Sequence, residues 1–134
     1  MLRGAAAADL PALLTIRDRS DADALSDPAR ADETLLRRLV DNGAVMVWAD
    51  GESIAGFAAA DAAVIHLLVD SARRGGGIGR ALLDWAVAAV RDAGYPAAFV
   101  VLPPRGTAER HYRAAGWVAT DGDATGELIL KKPF

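Results

Sequence analysis

Apolar residues recur along this chain with two periods, and the alternation between them divides it into elements. Leu10, Leu13 and Leu14 form a short apolar face behind Asp9, which predicts a helix capped by Asp9, with Pro11 in its first turn, fading by Arg19. A polar, acidic stretch, RDRSDADALSDPARADET, follows. Leu35, Leu36, Leu39 and Val40 then make a second amphipathic face that stops at Asn42-Gly43. VMVWADGESIAGFAAAD reads as two strands around Asp50-Gly51, a pair suited to the positive φ angles of a tight hairpin. VIHLLVD lacks strict alternation, as expected of a central strand covered on both faces.

The clearest pattern comes next. Ile78, Ala81, Leu82, Trp85, Ala86, Ala89 and Val90 form an apolar stripe of helical period, closed by Gly94. AAFVVL predicts a buried strand and TAERHYRAA a short helix ending at Gly116. WVAT and GELILKK predict closing strands around the turn DGDATG. The order is mixed α and β, without an internal repeat or a low-complexity linker.

Composition narrows the class. The 134 residues are enough for one domain with a core, and 52% apolar with 25% charged residues describes a chain that folds. A net charge of −3 argues against a general nucleic-acid binder. With no cysteine, disulfides, thiolate metal sites and cysteine nucleophiles drop out, and no metal is expected. Neither a membrane-length apolar run nor a signal peptide is evident, so no membrane partner and a cytoplasmic location are expected.

The chemistry is concentrated in RRGGGIGRALLDW, residues 73–85, where glycines join a strand to a helix. Such a junction gathers unpaired N–H groups and the positive end of a helix dipole where backbone can approach closely, and so suits a phosphate. The dinucleotide fingerprint fails, because Arg80 stands where a third glycine is needed counting from Gly75, and Leu82 counting from Gly77. A nucleoside-triphosphate loop fails too: Gly79-Arg80-Ala81 has neither the lysine nor the metal-binding hydroxyl. A tight turn that binds nothing would also use glycines.

The whole segment IHLLVDSARRGGGIGRALLDW resembles the acetyl-CoA-binding motif of the GNAT superfamily of N-acetyltransferases, with Leu67 and Val69 on the strand and Arg74, Gly77 and Gly79 on the signature. VWADGESIAGFAAAD is similar to the hairpin before that motif, including Gly56-Phe57. TAERHYRAAGWVAT is similar to the second motif through Ala108, Tyr112 and Gly116, with Trp117 in place of phenylalanine. The resemblance covers roughly residues 45 to 120. It implies a single-domain α/β (α+β) fold over 1–134: a mostly antiparallel sheet flanked by helices, with central strands splayed at the coenzyme site.

It also implies direct attack of an amine on the thioester of acetyl-CoA. The coenzyme contacts would come from Leu67, Leu68, Val69, Arg74, Gly75, Gly76, Gly77, Ile78, Gly79 and Arg80, with charge added by Arg73. A backbone N–H at Val69 or a neighbour would hold the carbonyl oxygen, and Tyr112 would protonate the departing thiolate. Arg105 stands where the family often has asparagine, and would reach a phosphate instead. For the base, His66 has a suitable intrinsic pKa and Asp61 lies at the hairpin end; water is the alternative. The acidic loop with Asp18, Asp21, Asp23, Asp27, Asp32 and Glu33 would steer a cationic amine. Two other readings stay open: a non-catalytic acyl-CoA-binding module, and a structural protein whose glycines only turn the chain. Homodimerisation through GELILKK is a further expectation.

Overall fold

The computed structural model describes residues 1–120 and 127–134; the expected turn DGDATG lies outside them. Its sheet has seven strands in the order β1-β2-β3-β4-β5-β7-β6. β1 (Leu2–Gly4) pairs antiparallel with β2 (Val45–Asp50), which continues through β3 (Ser53–Asp61) to β4 (Val64–Val69). β5 (Ala97–Leu102) lies parallel to β4, and β7 (Leu128–Pro133) and β6 (Val118–Ala119) complete the sheet antiparallel. The mostly antiparallel sheet flanked by helices is the architecture the resemblance implies.

Helix α1 (Leu10–Asp18) and α2 (Glu33–Asp41) cover one face, and α3 (Ile78–Asp92) and α4 (Glu109–Ala114) the other. β4 separates two apolar layers, as its pattern predicts. Ile65, Leu67 and Val69 pack with Leu82, Ala86 and Val90 of α3, while Leu68 packs with Leu13, Leu36 and Leu39 of α1 and α2. A strand sends alternate side chains to opposite faces, so His66 sits on the α1/α2 face with Leu68.

Gly56, opposite Val69 in register, lets β3, β4 and α3 close together. A Cβ there would fall 3.0 Å from the Leu68 carbonyl oxygen and 3.2 Å from Leu82 Cδ1. The β2–β3 turn is tight as expected, but Asp50 stays in the ladder opposite Ser53 and the positive φ, 65°, falls on Gly51.

One expectation needs correction. Asp9 does not cap α1 with its side chain; the carboxylate turns back to the Ala6 N–H at 2.7 Å and to Arg3 at 2.7 Å, closing a 3₁₀ turn ahead of the helix. β7 is an interior strand, flanked by β5 and, at Leu130 and Lys131, by β6.

Candidate active site

The glycine turn forms where β4 ends. Asp70 accepts the Ala72 N–H at 3.1 Å and starts a short 3₁₀ turn through Arg73, and Gly75 and Gly77 then take φ values of 91° and 79°. Gly77 is the residue that caps α3. In that left-handed region only glycine is unstrained. A Cβ at Gly75, Gly76 or Gly77 would meet nothing within 4 Å, so the space above the turn is open. The first N–H groups of α3 have no partner inside the helix, and they face this space with the positive end of the dipole.

A cleft of about 440 Å³ opens here, lined by Leu25, Val69, Arg74, Gly77 and Arg80 among others. Gly75, Ile78, Gly79, Arg73 and His111 complete its walls. Arg73 Nη1 and Arg74 Nε are buried without a hydrogen-bond partner among the described residues. Buried donors are nearly always satisfied, and two unmatched guanidinium nitrogens beside a glycine turn make a donor set that fits an anion such as a pyrophosphate. A second nitrogen of each guanidinium is held: Arg73 Nη2 donates to Ser53 Oγ at 2.5 Å, and Arg74 Nη1 to Asp21 at 3.1 Å. A second groove of about 690 Å³ continues from the first, sharing Arg80 and His111 and adding Lys132 and Arg91.

Between β4 and β5 the sheet opens. Their parallel pairing covers only Val64↔Phe99 and Ile65↔Val100, so the strands part before Leu67 and Val69. Alternate residues of a strand direct their N–H and C=O to the same side, and Ile65, Leu67 and Val69 therefore present theirs toward this gap. The carbonyl-holding N–H that the resemblance implies has its setting here.

Tyr112 is fully buried, edge-on to Trp117 at 5.2 Å. Its hydroxyl donates to the Leu25 carbonyl oxygen. Burial pushes this hydroxyl well above the ordinary phenol range, so it stays protonated at any working pH. It lies behind Leu25 and is not itself part of the cleft wall. His111, exposed, stands at the junction of the two clefts. Nothing in its spacing marks that role; a residue adjacent to Tyr112 on a helix points about 100° away from it.

Other expected site residues lie apart. Leu68 packs into the α1/α2 layer, and Gly76, exposed like Gly75 and Gly77, is not among the residues that line the cleft. Arg105 occupies an exposed turn after β5 with φ 59°, and does not line the glycine cleft. Asp61 is opposite Val64 and pairs with Arg38 at 3.5 Å. At 3.3 Å per residue this end of β4 is roughly 17 Å from Val69. His66 is closer, roughly 10 Å along the strand by the same rise.

The acidic loop is less free than its composition suggests. Asp21 and Asp23 pair with Arg74, Asp18 with Arg17 and Glu33 with Arg37. Asp32 caps α2 through the Leu35 N–H. Asp27 accepts the Ala29 N–H, and burial together with the neighbouring Glu127 holds its carboxyl above the usual range.

His66 is 5% exposed, and burial lowers its pKa from 6.5. The charges of Asp61 and Asp32 oppose that shift, and Arg30 adds to it. The unfolded chain therefore takes up a proton before the folded one does, and the stability associated with neutral His66 is lost as pH falls below about 6.5. Urea midpoints at pH 7.5 and pH 5 should show a drop that is shallower in His66→Gln; equal drops in the two chains would remove His66 as the cause.

Among the described residues no group of His, Asp or Glu could hold a metal ion, and no helix is long and apolar enough to cross a membrane. A family model described as an acetyltransferase (GNAT) domain matches residues 18–129. A comparison with curated protein sequences finds no match. Solved structures do match in fold. A ribosomal-protein-alanine N-acetyltransferase from Brucella melitensis is 23% identical, with TM-score 0.74 over 100% of this chain and 99% of that one. The PaiA N-acetyltransferase from Thermoplasma acidophilum, in complex with coenzyme A, is 15% identical with TM-score 0.79 over 100% and 98%. A phosphinothricin acetyltransferase from Sinorhizobium meliloti, in complex with acetyl-CoA, is 23% identical with TM-score 0.77 over 100% and 88%. Since the matched stretch runs from the end of α1 into β7 and contains the whole glycine cleft, the chain belongs to the GNAT family and is an acetyltransferase.

Proposed function

We propose that the protein moves an acetyl group from acetyl-CoA directly to a primary amine, carried by a small molecule or by a protein. The observation that carries this reading is the pair of unmatched, buried arginine nitrogens, Arg73 Nη1 and Arg74 Nε, beside the glycine turn. Charge-assisted bonds from these groups and from the N–H groups opening α3 are the kind that hold a pyrophosphate. The coenzyme A in the T. acidophilum structure and the acetyl-CoA in the S. meliloti one, on the same fold, support the choice of ligand. The neighbouring groove, with Arg80, Arg91, Lys132 and His111, is the natural run for the adenosine end.

The coenzyme supplies an activated thioester. The chain supplies the rest. An N–H of β4 facing the gap, at Val69 or Leu67, donates to the carbonyl oxygen as it gains charge, an interaction of the oxyanion-hole type. The amine attacks as a neutral nucleophile, the C–S bond breaks, and the thiolate takes a proton. The departing thiolate, conjugate base of a thiol of pKa about 8.5, takes its proton from a neutral phenol held close to it as the C–S bond breaks, and the phenol is reprotonated from water; Tyr112 is the donor in this reading. The proton of the amine passes to water or to His66, whose neutral form burial favours. Asp61 is the weaker candidate for base, because Arg38 holds it at the far end of β3. A cationic acceptor is favoured by the carboxylates between α1 and α2.

Turnover of acetyl-CoA against a panel of small primary amines, polyamines and peptides with free N-termini or lysines tests the reading. Acetylation of one class with release of one thiol per acetyl group is expected. Thiol release without an acetylated amine on any member would overturn transfer to an amine.

A further inference from the structure

The gap between β4 and β5 is filled by the chain itself. Ser26, only 2% exposed, accepts the Leu67 N–H on its hydroxyl at 2.9 Å and donates to the Leu67 carbonyl at 3.1 Å. One residue on, the Asp27 N–H donates to the Val101 carbonyl on β5 at 2.7 Å. Together they replace the ladder bonds that the parted strands no longer make. Leu25 adds the carbonyl that receives the Tyr112 hydroxyl, and its side chain lines the glycine cleft, where a Cβ on Gly79 would fall 2.9 Å from Leu25 Cδ1.

The flank of this segment is tied to the same site. The Thr107 N–H donates to the Ala22 carbonyl at 3.1 Å, and the Thr107 hydroxyl donates to Asp23. Asp21 and Asp23 hold Arg74. Residues 21–27 thus engage Leu67, Tyr112 and Arg74, three groups the transfer reaction needs.

We propose that residues 21–27 form a strap that fills the acyl channel in the free protein, and that acetyl-CoA binds by displacing it. The inference rests on the functional reading above, which puts a thioester carbonyl on a β4 N–H in this gap. The physical logic is that of polar satisfaction. Buried N–H and C=O groups in a splayed sheet must find partners, and a serine hydroxyl, which both accepts and donates, satisfies both groups of one residue. The amides and carbonyl of the coenzyme arm can make equivalent bonds, but only after Ser26 has left. Its observed affinity is then reduced by the fraction of molecules with the strap open.

Two neutral substitutions outside the proposed chemistry weaken the strap: Ser26→Ala at the gap, and Thr107→Val at the exposed latch. In calorimetric titrations of the full chain with acetyl-CoA, each is expected to tighten binding about three- to tenfold, the range for losing one or two net hydrogen bonds from the closed form. Hydrogen exchange supplies a second readout. Adding acetyl-CoA to the wild type should slow the amides of residues 75–80 and speed up those of Asp27 and Thr107. Acetyl-CoA that binds the wild type and both variants equally, or the variants more weakly, with Asp27 protected, would overturn the strap and leave the coenzyme reading standing. Absence of binding in all three chains would overturn both.

Discussion

The Gly77→Val chain is expected to bind acetyl-CoA at least a hundredfold more weakly than the wild type while keeping its fold. The reason lies in two properties of one residue. Gly77 has φ 79° and is the cap of α3, so a β-branched side chain there is strained by about 1–3 kcal/mol. The strain is relieved by turning the peptide, which redirects the N–H groups of Ile78 and Gly79 away from the cleft. Losing two hydrogen bonds to a charged group costs about 3–6 kcal/mol of binding. The valine would also project into the open space that the phosphate needs, since nothing else lies within 4 Å of a Cβ at this position. Circular dichroism and a thermal melt check the fold, and calorimetry the binding. A variant that melts a few degrees lower but binds normally would mean that the turn is only a connector.

Tyr112→Phe has a different expected signature. The hydroxyl is the proposed proton donor to the thiolate, and general-acid catalysis of this kind contributes on the order of 10²–10⁴ in rate. A fall in kcat of about 10²-fold or more is expected, with the affinity for acetyl-CoA unchanged or somewhat tighter. Tightening follows because the same hydroxyl donates to the Leu25 carbonyl and so helps hold the strap closed. Because burial keeps the hydroxyl protonated, the wild-type rate should not decline between pH 8 and pH 10 through ionisation of this group. Steady-state kinetics across that range, with saturating amine, check both points. A variant with full kcat would leave Tyr112 as a packed aromatic beside Trp117.

What the sequence made legible depended on how local the signal was. α2 and α3 were readable because a stripe of leucine, alanine and valine at helical spacing ends at a glycine with positive φ, Gly43 at 71° and Gly94 at 94°. β4 was readable as central because HLLV has apolar side chains for both faces. β1 has three residues and no pattern of its own; its pairing with Met46, Val47 and Trp48 makes it a strand. The interior place of β7 is a property of topology, and periodicity carries no information about which neighbours a strand finds.

The site divides in the same way. The glycine turn stands out in the sequence by itself, whereas Arg74 and Val69 are reached only through the resemblance to the family's coenzyme-binding motif. The strap is marked in neither way. SDADALSD is written as an acidic loop, and what buries it is a serine hydroxyl reaching a strand 41 residues away and backbone groups that any sequence possesses. Its one local trace is Ala24-Leu25, two apolar residues between acidic ones, both of which face the interior side of the loop. Arg105 shows the reverse: position within a motif suggested a phosphate contact, while the residue stands exposed in a turn with φ 59°, outside the walls of the glycine cleft.

The central claim is that the glycine turn at the head of α3 holds the pyrophosphate of coenzyme A. Calorimetric titration of the full chain with acetyl-CoA, alongside dephospho-CoA, tests it most directly. Both ligands keep the pyrophosphate, so micromolar binding of acetyl-CoA with dephospho-CoA within about tenfold, a difference of about 1.4 kcal/mol, is the result predicted. No binding of either at millimolar concentration would contradict the account and leave residues 75–79 as a turn.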